Sequence, residues 1–308
     1  MPMTLLEASK RNAADVKRAG VIEMFAMTAQ LLNVIPFEDI QGGSLTYNLE
    51  GQMPGVSFRG YNEAYTESTG IINPETERLY IAGGDLDVDK ALIKTRGYAI
   101  RSTEETAKVK ALAMHISDRL INGDTQANPR EFDGLKVRIT GSQLFVAAGG
   151  STDGALSLEV LDAAIDLVDN PTALVMSKAL RRKLTKAARG NVGGDISYAT
   201  DNWGRQVSSY NDLPIVIVDY NELGQRVIDW NEVGPSGGAA TNQSIYIVSL
   251  GTNRVIGLQN GTIEVSDLGE LQAAPVYRTR VEWLVGLAVM HGRAAARIWG
   301  IQNADITA

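Results

Sequence analysis

The sequence predicts an α+β protein in which a compact α/β unit, residues 141–255, is inserted into a strand-rich body carrying one long helix. Three observations carry this expectation. Ser102 with Glu105 is a capping box that opens a helical run, residues 102–121, and Asn122-Gly123-Asp124 closes it. After Gly141 the pattern alternates between helices and strands, and from Thr262 to Ile301 it returns to strands.

In chain order, Thr4 with Glu7 is an earlier capping box, and Asp15 to Leu32 is helix-compatible with a very apolar second half, Val21 to Met27. This arm, residues 1–35, needs a partner surface, either the chain's own core or a neighbouring copy. Pro36 to Glu50 reads as a strand, with Leu45, Tyr47 and Leu49 alternating against Thr46 and Asn48. Residues 51–85 then read as a long two-stranded excursion with strand-like runs at Val56 to Arg59 and Arg78 to Ile81. An isolated hairpin is marginal in water. Ordering roughly 30 residues costs ~45 kcal/mol before hydrogen bonds offset part of it. Apolar burial alone would need on the order of 1,800 Å² to match that, so another surface must cover the excursion.

Asp85, Asp87 and Asp89 resemble the first half of a calcium loop, but Lys90 and Arg96 occupy positions that need Gly and Glu, so a solvated acidic strand face is expected. The long helix carries an apolar stripe wide enough to pack on two sides, including Val109, Leu112, Ala113, Ile116 and Leu120. Phe132-Asp133-Gly134-Leu135 is expected to turn the chain into a strand. Ser157 caps a helix through Asp169, Ala173 to Met176 is a buried strand, and Ser177 caps Lys178 to Arg189. A polar, Gly-rich stretch to Asn211 leads to buried strands at Leu213 to Val218 and Ser244 to Leu250. The alternating strand Ala294 to Trp299 is expected to lie under the long helix.

Composition excludes several classes. With 308 residues, 44% of them hydrophobic, the chain can bury one large or two medium cores. It has no cysteine, which removes thiol catalysis, disulfides and thiolate metal sites. A net charge of -7 argues against general nucleic-acid binding. The N-terminus lacks a signal-peptide pattern and the longest apolar run, Trp283 to Met290, is too short for a bilayer, so use in a cytoplasm is expected. No catalytic, cofactor-binding or metal-ligating set stands out. His115 reads as a hydrogen-bonded core or interface residue, no Gly precedes Lys in a phosphate loop, and Gly190 to Gly194 follows a helix instead of opening one. The six cations of Lys178 to Arg189 could engage nucleic acid, but without interleaved aromatics they read first as a solvated face or as partners for acidic residues of another copy.

The run Ile121-Asn122-Gly123-Asp124, then Phe132-Asp133-Gly134-Leu135 after the long helix, resembles the major capsid proteins of tailed bacteriophages with the Hong Kong 97-like fold. Leu174 to Leu184 and Leu213 to Ile217 extend the resemblance over most of the chain. It implies an N-terminal arm (1–35), a peripheral domain (36–50, 86–140 and 256–308) with a spine helix, an extended loop (51–85) and an axial domain (141–255). It implies no enzyme but a self-assembling structural protein, whose pentamers and hexamers enclose double-stranded DNA without sequence-specific binding, in a virion assembled in the host cytoplasm. Met24, Phe25, Met53, Val56, Phe58, Tyr61 and Tyr65, with Arg181 and Arg182, are the expected contacts between subunits. A portal, a decoration protein and a separate scaffolding protein are the other expected partners; the scaffold follows from an arm that begins within a few residues of Met1. An encapsulin-type compartment is the alternative on the same fold, and a soluble α/β enzyme the alternative outside it.

Overall fold

The computed structural model describes residues 29–97, 99–189, 196–200 and 206–307. Helix α1 (Gln30–Val34) buries Leu31 and Leu32, and β1 (Phe37–Asp39) follows. The end of the predicted arm therefore packs on the chain's own core, whereas residues 1–28, with Met24 and Phe25, lie outside the described residues. Strands β2 (Ser44–Gln52) and β3 (Ile71–Arg78) form an antiparallel two-stranded sheet. The excursion thus has its root at Ser44 rather than at residue 51, and Val56 to Arg59 is not a strand. From Tyr80 the chain is back in the body, as β4 (Tyr80–Asp89) and then α2 (Lys90–Arg96).

The spine helix α3 (Ala99–Asn122) starts ahead of the predicted capping box. Glu105 does not turn back to Ser102. It lies 3.2 Å from the Arg101 guanidinium and accepts a 2.8 Å hydrogen bond from the Thr279 hydroxyl, so it joins the helix to a strand instead of capping it. After the helix, Leu135–Arg138 forms the short helix α4 where a strand was expected, because the amides of Val137 and Arg138 bond back to the Gly134 carbonyl. Next come β5 (Leu144–Val146), α5 (Leu158–Leu167), β6 (Ala173–Met176) and α6 (Lys178–Arg189). Ser177 caps α6, its hydroxyl accepting from the Leu180 amide at 3.2 Å. The polar stretch beyond α6 contains β7 (Ile196–Thr200) and β8 (Gln206–Tyr210), which the residue pattern did not reveal. Strands β9 (Leu213–Ile217), β10 (Gln243–Val248), β11 (Val255–Gln259), β12 (Glu264–Glu270), β13 (Val276–Val289) and β14 (Ala295–Ile301) complete the chain.

Two larger sheets result. In the five-stranded sheet, β13 is flanked by β4 on one edge and by β12 and β11 on the other, with β1 parallel to β11. The alternate residues Val281, Trp283, Val285 and Leu287 of β13 are buried in one cluster with Val109, Leu112, Ile116 and Leu120 of α3, as period-2 and period-3.6 stripes meeting face to face require. Phe37 packs on Trp283 with ring centroids 5.0 Å apart. The seven-stranded sheet has the order β5-β14-β10-β6-β9-β8-β7.

Strand β14 is where the expectation fails most clearly. Its alternating pattern predicts a place under the spine helix, but it lies between β5 and β10 in the seven-stranded sheet. Ala295 joins the apolar cluster on one face and Ala296 and Ile298 the cluster on the other, while Arg297 is buried by pairing with Glu232 and Ser244, and the 256–308 segment is divided between the two sheets. One face of this sheet packs α5 and α6 through Leu161, Ile165, Leu180 and Leu184. Its other face, with Val175, Tyr246, Val248 and Ala295, shares a hydrophobic cluster with α3 and β13.

Candidate assembly surface

The β2–β3 hairpin runs from Ser44 opposite Arg78 to Gln52 opposite Ile71. Beyond it the chain continues without strand pairing through residues 53–70. Local contacts shape this tip: the Gly55 amide donates to the Ser68 hydroxyl at 2.7 Å, the Gly60 amide to Glu63 Oε2 at 2.9 Å, and the Arg59 guanidinium lies 5.2 Å from the Tyr65 ring centre. Met53, Val56, Phe58, Tyr61 and Tyr65 are all exposed, Val56 at 99% and Phe58 at 106% of the reference area. Full burial of one such side chain stabilises by roughly 1.5–3 kcal/mol, so this tip is a large unused source of binding energy.

The root of the hairpin is held by a buried ion pair. The Arg138 guanidinium engages both Glu77 carboxylate oxygens, Nη2 lying 2.7 Å from Oε2, with side chains 14% and 16% exposed. The Tyr47 hydroxyl donates to Glu77 Oε1 at 3.4 Å and to the Val289 carbonyl at 3.2 Å. Burial, reinforced by the Glu77 charge, pushes the Tyr47 hydroxyl up to about 12, so it stays a donor. Arg138 also donates from Nε to the Asp133 carbonyl at 2.7 Å, while Asp133 Oδ1 accepts from the Thr125 amide and hydroxyl, both at 2.8 Å. The two four-residue motifs are therefore one unit. The Gly134 amide donates to the Gly123 carbonyl at 2.9 Å, and a Cβ at Gly134 would come within 2.7 Å of the Arg119 and Ile121 carbonyl oxygens. Only glycine permits that approach. Residue types near Arg138 gave no hint of Glu77, which is 61 positions away and reached only through strand pairing.

The acidic run is not an open cation loop. Arg280 grips Asp85 at 2.7 and 2.9 Å, Arg278 grips Asp87 at 2.6 Å twice, and Asp89 caps α2 by accepting from the Ala91 amide at 2.6 Å. Hydrogen bonds from Arg280 and Arg278 hold the Asp85 and Asp87 carboxyls below the usual carboxylate value. Among the described residues no group of three or more His, Asp or Glu is arranged to hold a metal ion, and no helix is long and apolar enough to cross a membrane. His115 Nδ1 lies 2.7 Å from Glu222, and His291 accepts from the Arg293 amide. The α6 cations line an open groove of about 860 Å³ together with Ser208 and Asp305. Lys178 pairs with Asp219 and Lys186 with Asp305, Lys183 lies over the Trp230 ring, and Arg181 and Arg182 project beside them without an ion pair among the described residues.

A spine helix crossing one sheet, a second sheet with two covering helices and a long, uncovered hairpin define a shell-forming protein with the Hong Kong 97-like fold. Solved shells share this fold. The encapsulin of the holo-SrpI complex from Synechococcus elongatus PCC 7942 is similar at a TM-score of 0.63 and 15% identity, covering 89% of this chain and 87% of that one. A Mycobacterium phage Bobi chain matches at 0.62 and 11% identity, covering 90% and 91%. The capsid of the native GTA particle matches at 0.59 and 16% identity, covering 88% and 90%. A comparison with curated proteins finds no match. Residues 13–163 match the family model described as Major capsid protein GP7. The family match and the shared fold together support a shell-forming role of the tailed-phage major capsid type.

Proposed function

We propose that copies of this chain form pentamers and hexamers of an icosahedral head that is assembled in the host cytoplasm and encloses double-stranded DNA. The observation that carries this is the hairpin tip, which presents Val56, Phe58 and Tyr61 to solvent with none of the described residues over them. In this reading each tip covers a neighbouring copy, and many modest contacts add through multivalent linkage. The hairpin with its tip serves as the extended loop. The five-stranded sheet with α3 is the peripheral domain, and the seven-stranded sheet with α5 and α6 is the axial domain at the symmetry axis of each capsomer. A portal, a scaffolding protein and a decoration protein are the partners this role brings.

An encapsulin-type shell would use the same fold, and one similar structure is titled as such. The match of residues 13–163 to a major capsid protein family favours the phage role. Electron microscopy of particles from cells expressing the complete phage gene set, with extraction of nuclease-protected nucleic acid, separates the two. Closed particles holding protected double-stranded DNA are expected; particles holding only protein cargo would overturn the phage reading, and absence of any particle would overturn both.

A further inference from the structure

We propose that the outer faces of α5 and α6 are the two halves of a charge-matched contact between copies of this chain, the acidic stripe of α5 in one copy lying antiparallel to the basic stripe of α6 in the next. This rests on the shell-forming role and names surfaces that build it.

Helix α5 exposes Glu159, Asp162 and Asp166, and α6 exposes Arg182, Lys186 and Arg189. The acids are spaced by three and then four residues, the cations by four and then three. Reversing one helix makes the two spacings coincide, so Glu159 faces Arg189, Asp162 faces Lys186 and Asp166 faces Arg182. Each stripe covers about 10 Å at ~1.5 Å per residue. The opposite side of each helix is fixed in the same core, through Leu161 and Ile165 on one and Leu180 and Leu184 on the other, so both stripes are presented on rigid supports.

Pairing inside the chain leaves most of these charges available. Glu159, Asp166, Arg182 and Arg189 make no ion pair among the described residues. Lys186 meets only Asp305, in a pair 69% and 76% exposed, and Asp162 accepts a 2.9 Å hydrogen bond from the Tyr210 hydroxyl. Exposed pairs of this kind are weak enough to exchange partners. Nucleic acid is the competing ligand for the basic stripe, but the acidic stripe packs on the same sheet face and the whole chain carries a charge of -7, both of which repel phosphate.

The test is charge reversal with rescue, read as particle yield by sedimentation and microscopy. The acid-reversed variant (E159K, D162K, D166K) and the base-reversed variant (R182E, K186E, R189E) should each lower the yield at least about tenfold, since like charges then face each other. The six-site variant, in which every contact is again complementary, should recover it. Circular dichroism checks folding, and the milder pair D166R and R182D, alone and combined, repeats the test if a triple variant does not fold. Wild-type yield from both reversed variants, or folded reversed variants without rescue in the six-site chain, overturns the contact while leaving shell formation intact. A base-reversed variant that assembles normally but loses salt-dependent binding of duplex DNA shows the stripe to be a nucleic-acid surface. Failure of the wild-type chain to form particles is a separate result and removes the shell-forming role itself.

Discussion

Arg138 and Glu77 form a buried, two-pronged ion pair that ties the segment after the spine helix to the root of the exposed hairpin. The pair sets the direction in which the hairpin leaves the body, because Arg138 is itself fixed to the Asp133 carbonyl within the Phe-Asp-Gly-Leu motif.

Glu77→Gln should destabilise the isolated chain by roughly 3–5 kcal/mol, because it leaves the Arg138 charge buried without its counterion. Urea unfolding measures this. The double variant E77L/R138M should recover much of the loss, and proteolysis within residues 53–70 should be faster in the single variant than in the double.

Gly134→Ala should cost about 3 kcal/mol, at the upper end for overpacking, since the added methyl meets two backbone oxygens that cannot move independently. Gly150→Ala is the control: its Cβ would meet nothing within 4 Å, and the change should stay within about 0.5 kcal/mol. Thermal unfolding of the two variants side by side is the measurement.

How much of this was legible in the residues depends on the range of the interaction. The end of the spine helix and the Ser177 cap are set by neighbours a few positions away, so they could be read directly. The root of the hairpin at Ser44 and the place of β14 depend on which strands lie alongside, and alternation reports only faces, never neighbours. Glu105 shows the same divide, being read as a cap although Thr279 on β13 claims it, together with Arg101 one helical turn back. Among the contact candidates, the exposure of the hairpin residues is legible because an apolar run in a polar, Gly-rich segment has no local use. The Arg138–Glu77 pair was missed because neither residue is unusual where it stands.

Phe58→Ser combined with Tyr61→Ser should leave the isolated chain's stability within about 0.5 kcal/mol of wild type, as both side chains are fully exposed. Particle yield should nevertheless fall steeply. Equal losses in both measurements would show that the tip stabilises its own chain rather than a neighbour.

Acid should weaken the outer face of the five-stranded sheet. The folded-state values of Asp85 and Asp87 are lowered from 3.8 by their Arg280 and Arg278 partners. Their contribution is therefore complete above that value and is lost as the pH falls through the lower folded values. Stability measured against pH should show this acid limb, and Asp85→Asn with Asp87→Asn should flatten it without changing the slope near neutrality.

The hydrophobic cluster that joins Val175, Tyr246 and Val248 of one sheet to Trp283 and Leu287 of the other through the spine helix leaves no seam along which the body could melt in halves. Heat should take the two sheets apart in a single calorimetric event, and a deletion of packing on either side lowers the midpoint of both. Among the described residues, reshaping of the shell therefore falls to rigid-body tilting and to the slender hairpin, which can bend without opening the interior.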